Sequence, residues 1–263
     1  MKPTQRILRE KLANGEKAYG VAVQLPSPEI VEIIGYTGYD FAWIDGEHGS
    51  FGLSEIRELI RAADAARIDT IVRVPNHDVT LVQRILDLGA GGIVVPHVRT
   101  VEDGTAMVRA AKYGPVGTRG ACPGIRSVGH VTEDWVTDYA RANADVLVFG
   151  LIEDAEGVEN VEAIASECGF DGLLFGPFDL AWSIGLHGDI NHPDIKAMQQ
   201  RVLAAVRTAG IEYFSANTEW ESDLAGTGAS IVAVLGDRFA LFHSLRNALA
   251  AERASAEQAA ARA

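Results

Sequence analysis

Eight short apolar runs, each followed by a stretch of helical character, constrain this chain more than any other feature of it. They lie at 19–24, 41–45, 70–74, 92–96, 146–153, 172–176, 212–216 and 230–235. The runs are β-branched and apolar throughout rather than alternating. That pattern is expected of a parallel sheet whose outer face is covered by helices and whose inner face is filled by side chains. Between them, 53–67 places Ile56, Leu59, Ile60 and Ala63 at helical spacing. Further helical segments are predicted at 79–88, 101–112, 157–167, 194–209 and 239–252. Ser54 reads as a helix cap, and Asp194 after Pro193 marks another start. Gly89 and Gly210 stand where the chain leaves helices.

Eight βα units in 263 residues are the arithmetic of a single (β/α)8 barrel, an α/β fold filling one domain from 1 to 263. The competing arrangement is a doubly wound open sheet. It normally carries a glycine-rich turn after its first strand, and none follows here. Two segments depart from the pattern. The connection 113–135 is long and rich in Gly and Pro, and loops of that length are usually functional. Residues 254–263 are Ala-rich and charged, and read as a frayed helical tail or an arm on a neighbouring subunit.

With 48% hydrophobic residues the chain can bury a substantial core. Its formal net charge of −13 argues against nucleic acid and anionic membrane as partners, since both need a basic surface. No apolar run is long enough to span a bilayer, and the first residues lack the apolar core of a secretory signal. Two cysteines, Cys122 and Cys168, make no disulfide framework, so a cytoplasmic setting is expected.

In a barrel of this kind the active site lies at the carboxyl ends of the strands. The second run ends Asp45-Gly-Glu-His48, the third Arg73-Val-Pro75, the fifth Glu153-Asp154, and the sixth leads into Gly176-Pro177-Phe178-Asp179. Glu153 and Asp179, from consecutive strand ends, could hold a hard divalent cation with sites left for water and substrate. They could equally be acidic helix starts favoured by the helix dipole; Asp154, Glu156 and Glu159 read as that ordinary case. His48 has the side chain suited to proton transfer at neutral pH, with Asp45 or Asp87 to orient it. Arg73 could hold a developing enolate oxygen or pair with a rim acid. The turn at Gly176 could bring backbone N–H groups against a carboxylate. His97, just after Pro96, stands out among the remaining histidines. None of the five lysines ends a predicted strand, so imine chemistry is disfavoured. No phosphate loop follows the last two strands.

The pieces Trp43-Ile-Asp-Gly-Glu-His48, Val72-Arg-Val-Pro75, Gly117-Thr-Arg-Gly120, Ile152-Glu153 and Phe175-Gly-Pro-Phe-Asp-Leu180, in this order over nearly the whole chain, resemble the HpcH/HpaI aldolases. The resemblance implies a metal-dependent class II pyruvate aldolase, which reversibly cleaves a 4-hydroxy-2-oxo acid to pyruvate and an aldehyde. It implies Mg²⁺, Mn²⁺ or Co²⁺ on Glu153 and Asp179, and Arg73 at the enolate. His48, supported by Asp45 and Asp87, would move protons, and the amides around Phe178 and Asp179 would take the pyruvate carboxylate. It also implies a homo-oligomer, hexamer or trimer, with the last helix exchanged between neighbours. Three positions depart from common family usage: Leu151 replaces a frequent Gln, Phe178 a small Ala, and Ala22 a Trp found in some relatives. Glu47, beside His48, has no assigned role. Two rival readings keep the barrel: a citryl- or malyl-thioester lyase (or another enolate condensation), and a non-catalytic carboxylate-binding barrel.

Overall fold

The computed structural model describes residues 6–216 and 224–262. Residues 1–5, read above as lacking a secretory core, and Ala263 of the predicted tail lie outside that range. Eight parallel strands close a barrel in sequential order: β1 (Ala18–Val23), β2 (Phe41–Asp45), β3 (Asp69–Arg73), β4 (Gly92–Val95), β5 (Leu147–Ile152), β6 (Gly172–Phe175), β7 (Glu212–Ser215) and β8 (Ile231–Gly236). Each matches a predicted run to within one or two residues, and the open-sheet alternative is excluded by the β1–β8 pairing. The helices are α1 (Ile7–Ala13), α2 (Pro28–Tyr36), α3 (Leu53–Ala66), α4 (Val79–Asp87), α5 (Val101–Ala111), α6 (Trp135–Asp145), α7 (Ala155–Glu159), α8 (Val161–Glu167), α9 (Pro177–Ser183), α10 (Pro193–Ala209), α11 (Leu224–Thr227) and α12 (Asp237–Arg262).

The absence of alternation has its predicted cause. One set of buried side chains, including Val72, Ile93, Val148 and Leu173, faces the helices. A second set, Phe41, Trp43, Ile71, Phe149, Leu174, Phe214 and Ile231 among them, fills the barrel interior. Phe214 is its hub: the rings of Phe41, Trp43 and Phe149 lie 5.7, 5.4 and 5.5 Å from it in tilted or edge-on contact, the geometry that aromatic quadrupoles favour. Leu8 and Leu12 of α1 pack onto this interior cluster. The Leu8 N–H donates to Asp69 Oδ2 at 2.8 Å, at the start of β3. Helix α1 therefore closes the mouth of the barrel at the amino ends of the strands.

Several local expectations are corrected. Ser54 lies inside the first turn of α3; the cap is Gly52, whose N–H donates to Glu55 Oε2 at 3.0 Å. The segment 157–167 is two helices broken at Asn160, whose Nδ2 donates to the Arg99 carbonyl at 2.8 Å. The last helix begins at Asp237 and runs without a break into the residues read as a tail. Gly210 adopts the left-handed conformation at the end of α10, with φ 68°, as expected of a helix-terminating glycine. The long connection after α5 packs against α4 and the carboxyl-terminal end of α3. Arg119 Nη2 donates to Asp87 Oδ1 at 2.6 Å, and Arg126 binds the Leu88 carbonyl and Asp64.

Candidate active site

Sheet register assembles the site. β2 pairs β3 with Asp45 opposite Arg73, so a carboxylate and a guanidinium leave adjacent strand ends side by side. β5 pairs β6 with Ile152 opposite Phe175, which sets the next residues, Glu153 and Gly176, against each other. These ends open into a cavity of about 470 Å³ lined by His48, Arg73, Glu153, Gly176, Pro177, Phe178 and Asp179, with Gln24, Trp43, Leu151, Lys196 and Phe239 among the other wall residues.

Asp45 is buried and organises one side. It accepts from Arg73 Nε at 2.8 Å, Arg73 Nη2 at 2.7 Å and Gln24 Nε2 at 2.7 Å. The backbone N–H groups of Glu47 and His48 also donate to it, at 3.2 Å each. Burial pushes the Asp45 carboxyl up, but the hydrogen bonds and charge of Arg73, with Gln24 and the His48 amide, hold it below the usual range. Arg73 Nη1 reaches Glu47 Oε2 at 3.0 Å. Three of the five guanidinium N–H donors are thus engaged, and the remaining two are available to an oxygen in the cavity. Glu47 continues the chain of charges, with His97 Nε2 at 3.7 Å and His48 Nε2 at 3.9 Å.

Glu153 is 2% exposed. Its Oε1 accepts the His97 N–H at 2.9 Å. Burial pushes its carboxyl up to about 7, against the lowering effect of the His97 amide, the His97 ring and Arg73. A Cβ at position 176 would lie 2.7 Å from Glu153 Cβ and 2.9 Å from its Oε2. Only glycine leaves that space beside the carboxylate open. A buried, undercompensated acid with an open cradle fits a divalent cation, and its hard oxygen donor suits Mg²⁺ or Mn²⁺. Asp179, in the first turn of α9, shares the cavity. Among the described residues no three or more His, Cys, Asp or Glu side chains gather as a ligand set. The two carboxylates would therefore leave the remaining positions to water and substrate.

The structure brings His48, Arg73, Glu153 and Gly176–Asp179 to one cavity, as expected from the strand ends, with Asp45 buried behind Arg73 and bonded to it. Asp87 is not brought there. It ends α4, and the helices run opposite to the strands, so it lies at the far end of the barrel paired with Arg119, and within one chain it does not orient His48. Asp154 is not the solvated helix start read from the sequence: its Oδ2 lies 3.0 Å from His97 Nδ1 and 3.2 Å from Arg99 Nε. His97 holds a left-handed backbone, φ 50°, that aims its N–H at Glu153. Burial lowers its basicity, but the hydrogen bond it makes to Asp154 and the charges of Glu153, Asp154 and Glu47 together raise it. Its place directly after a barrel strand was the signal for it. Lys196 reaches the cavity from α10, a route that reading strand ends alone does not reveal.

The pattern of the HpcH/HpaI aldolase/citrate lyase family matches residues 19–244. The chain is 31% identical over 251 residues to the hydroxypyruvate/pyruvate aldolase of Paraburkholderia phytofirmans, covering 92% of this chain and 95% of that one. It is 38% identical over 200 residues to a 4-hydroxy-2-oxovalerate aldolase of Novosphingobium aromaticivorans, covering 76% and 75%. The crystal structure of citrate synthase SbnG superposes with a TM-score of 0.87 at 30% identity, covering 96% of this chain and all of that one. Catalytic lyase activity goes with this likeness, which sets the non-catalytic barrel aside. By the extent of these matches, the chain belongs to the HpcH/HpaI aldolase/citrate lyase family of metal-dependent carbon–carbon lyases, acting on 4-hydroxy-2-oxo acids or related carboxylates.

Proposed function

We propose that the protein is a class II pyruvate aldolase, cleaving a 4-hydroxy-2-oxo acid to pyruvate and an aldehyde and running the reverse condensation. The observation that carries this reading is the single cavity shared by Glu153, Asp179, Arg73 and His48. Glu153 and Asp179 would hold the cation, with Mg²⁺, Mn²⁺ and Co²⁺ as candidates. When bound, it supplies the Lewis acidity that polarises the 2-oxo group.

In cleavage, His48 takes the C4 hydroxyl proton as general base. The C3–C4 bond breaks, C4 leaves as the aldehyde carbonyl, and the electron pair passes to C3 and the oxo oxygen as the pyruvate enolate. A proton returned to C3 completes pyruvate. The two N–H groups of Arg73 not taken by Asp45 and Glu47 would meet the oxygen where charge grows, and such fixed donors act most strongly away from bulk water. Asp45 fixes the orientation of the guanidinium and holds the His48 loop in place. The first turn of α9 at Phe178 and Asp179 would receive the pyruvate carboxylate. Leu151, 3% exposed, makes that wall of the cavity apolar where many relatives are polar. Phe178 narrows the cavity further.

The test is pyruvate proton exchange in D₂O with Mn²⁺, followed by a panel of aldehydes read by product mass. Methyl exchange and aldol products are expected, both abolished by EDTA; full activity in metal-stripped protein would defeat the reading. His48→Ala should slow cleavage far more than it weakens Mn²⁺ binding. The likeness to citrate synthase SbnG favours a second reading, in which the enolate condenses with a different acceptor. Turnover confined to thioesters or to non-aldehyde acceptors would select it. Exposed Leu241, Phe242, Leu245 and Leu249 on α12 support a homo-oligomer in which a neighbouring subunit covers this helix, with the trimer or hexamer and the cytoplasmic setting following from the resemblance and the sequence.

A further inference from the structure

The loop that carries His48 has few anchors of its own. Three of the seven residues from 46 to 52 are glycines, which leave a backbone free to take many paths. The His48 imidazole is 59% exposed, and its nearest charged neighbour among the described residues is Glu47 Oε2 at 3.9 Å, beyond hydrogen-bond reach. The ring therefore stands where the backbone puts it. On the near side that backbone is held by Asp45: its carboxylate accepts the Glu47 and His48 N–H groups, and its carbonyl accepts that of Gly49 at 2.9 Å. On the far side the Ser50 N–H reaches the Gln24 carbonyl only at 3.5 Å.

Arg238, the second residue of α12, closes that gap. Its Nη2 donates to Ser50 Oγ at 2.9 Å and to the Gln24 carbonyl at 3.1 Å, so one guanidinium ties the loop to the end of β1. The residue before it, buried Asp237, accepts the Gln24 N–H at 3.0 Å, the Leu25 N–H at 2.9 Å and the Arg238 N–H at 2.6 Å. Gln24 in turn donates Nε2 to Asp45 Oδ2 at 2.7 Å. The contacts make a closed circuit from Arg238 to Ser50, back along the loop to Asp45, across to Gln24 and home to Asp237. His48 lies on it. Hydrogen bonds joined in this way support one another, and a base displaced by even 1 Å can lose about 100-fold in rate.

We propose that Arg238 is a positioning residue that acts through Ser50 to hold His48 at the reacting hydroxyl, without itself touching the substrate. This rests on the reading of His48 as the base of a pyruvate aldolase. The test measures cleavage of the aldol that the aldehyde panel forms fastest from pyruvate, in Mn²⁺-loaded Arg238→Ala, Ser50→Ala and the double variant. Arg238→Ala should lower kcat at least tenfold, with KM and the Mn²⁺ dissociation constant within threefold of the wild type and the Mn²⁺ stoichiometry unchanged. Ser50→Ala should lower kcat at least threefold, and the double variant should be no slower than Arg238→Ala, because the hydroxyl acts only through the guanidinium. Ser50 is exposed, so its variant decides the matter alone if Arg238→Ala does not fold. A wild-type kcat in Ser50→Ala, or losses that multiply in the double variant, overturns this assignment alone. An enzyme that forms no aldol, or cleaves as fast after His48→Ala, overturns the reading of His48 and this assignment with it.

Discussion

Replacing Asp45 by Asn removes one charge from a carboxylate that accepts from donors on both oxygens. Arg73 Nε and two backbone N–H groups meet Oδ1, while Arg73 Nη2 and Gln24 Nε2 meet Oδ2. An amide turned either way sets an NH₂ group against existing donors, so at least one hydrogen bond becomes a repulsion. Breaking one side of a buried ion pair costs about 3–5 kcal/mol. Glu47 stays on Arg73 Nη1, which favours the lower end, about 3 kcal/mol. For a chain of 263 residues the unfolding entropy is roughly 0.5 kcal/mol per degree, so Tm should fall by about 5–6 °C. Scanning calorimetry of the metal-free protein reads this directly. The double variant Asp45→Asn/Arg73→Met, which removes both charges, should recover at least half of the loss. Turnover of Asp45→Asn should fall about 100-fold, because the same carboxylate fixes the loop that carries His48. A Tm within 1 °C of the wild type would show that Glu47 alone holds the guanidinium, and would refute the role given to Asp45.

At the closed end of the barrel, burial pushes Asp69 up from 3.8 to about 6. The folded state then binds that proton more tightly than the unfolded chain, so this contribution to stability is full below about pH 4 and is lost as pH rises through 6. The linked difference is about 3 kcal/mol. Asp69→Asn keeps an acceptor for the Leu8 N–H and should raise Tm by about 5 °C at pH 8 while leaving it unaltered at pH 4. Glu153→Gln removes a carboxyl raised from 4.5 to about 7, so the metal-free variant should be more stable than the wild type at pH 8, not at pH 4. The same variant should lose Mn²⁺ binding and turnover together; retention of both would exclude Glu153 as a ligand. On α12, Leu245→Asp should dissociate the proposed homo-oligomer in size-exclusion chromatography, and an unchanged elution volume would show that this face is not an interface.

The barrel was legible because β2 to β6 are buried on both faces and helices such as α3 and α4 show an apolar stripe. Most of the site followed from one rule, that the residue ending a barrel strand faces the ligand. Asp45, Arg73 and Glu153 obey it. His97 obeys it too, but a lone histidine after a proline carries no chemistry in its neighbours along the chain; its partners Glu47, Glu153 and Asp154 come from other strands. Asp87 ends a helix, and in a βα barrel a helix end lies at the amino ends of the strands, so within one chain it stands away from His48. Its partner Arg119 comes from 32 residues further along the chain. Lys196 was missed for the converse reason: it enters the cavity from a helix, whose face depends on packing angles rather than on strand order.

The leucine stopper that α1 sets under the interior aromatics closes the amino end of the barrel, so among the described residues the catalytic chamber opens at the carboxyl ends of the strands. Traffic through a single entrance is last in, first out. The group seated deepest, against Arg73 and Glu153, must arrive before its partner and depart after it. In the proposed aldolase reaction pyruvate would therefore enter first in synthesis and leave last in cleavage, so the aldehyde should inhibit cleavage noncompetitively while pyruvate competes with the substrate.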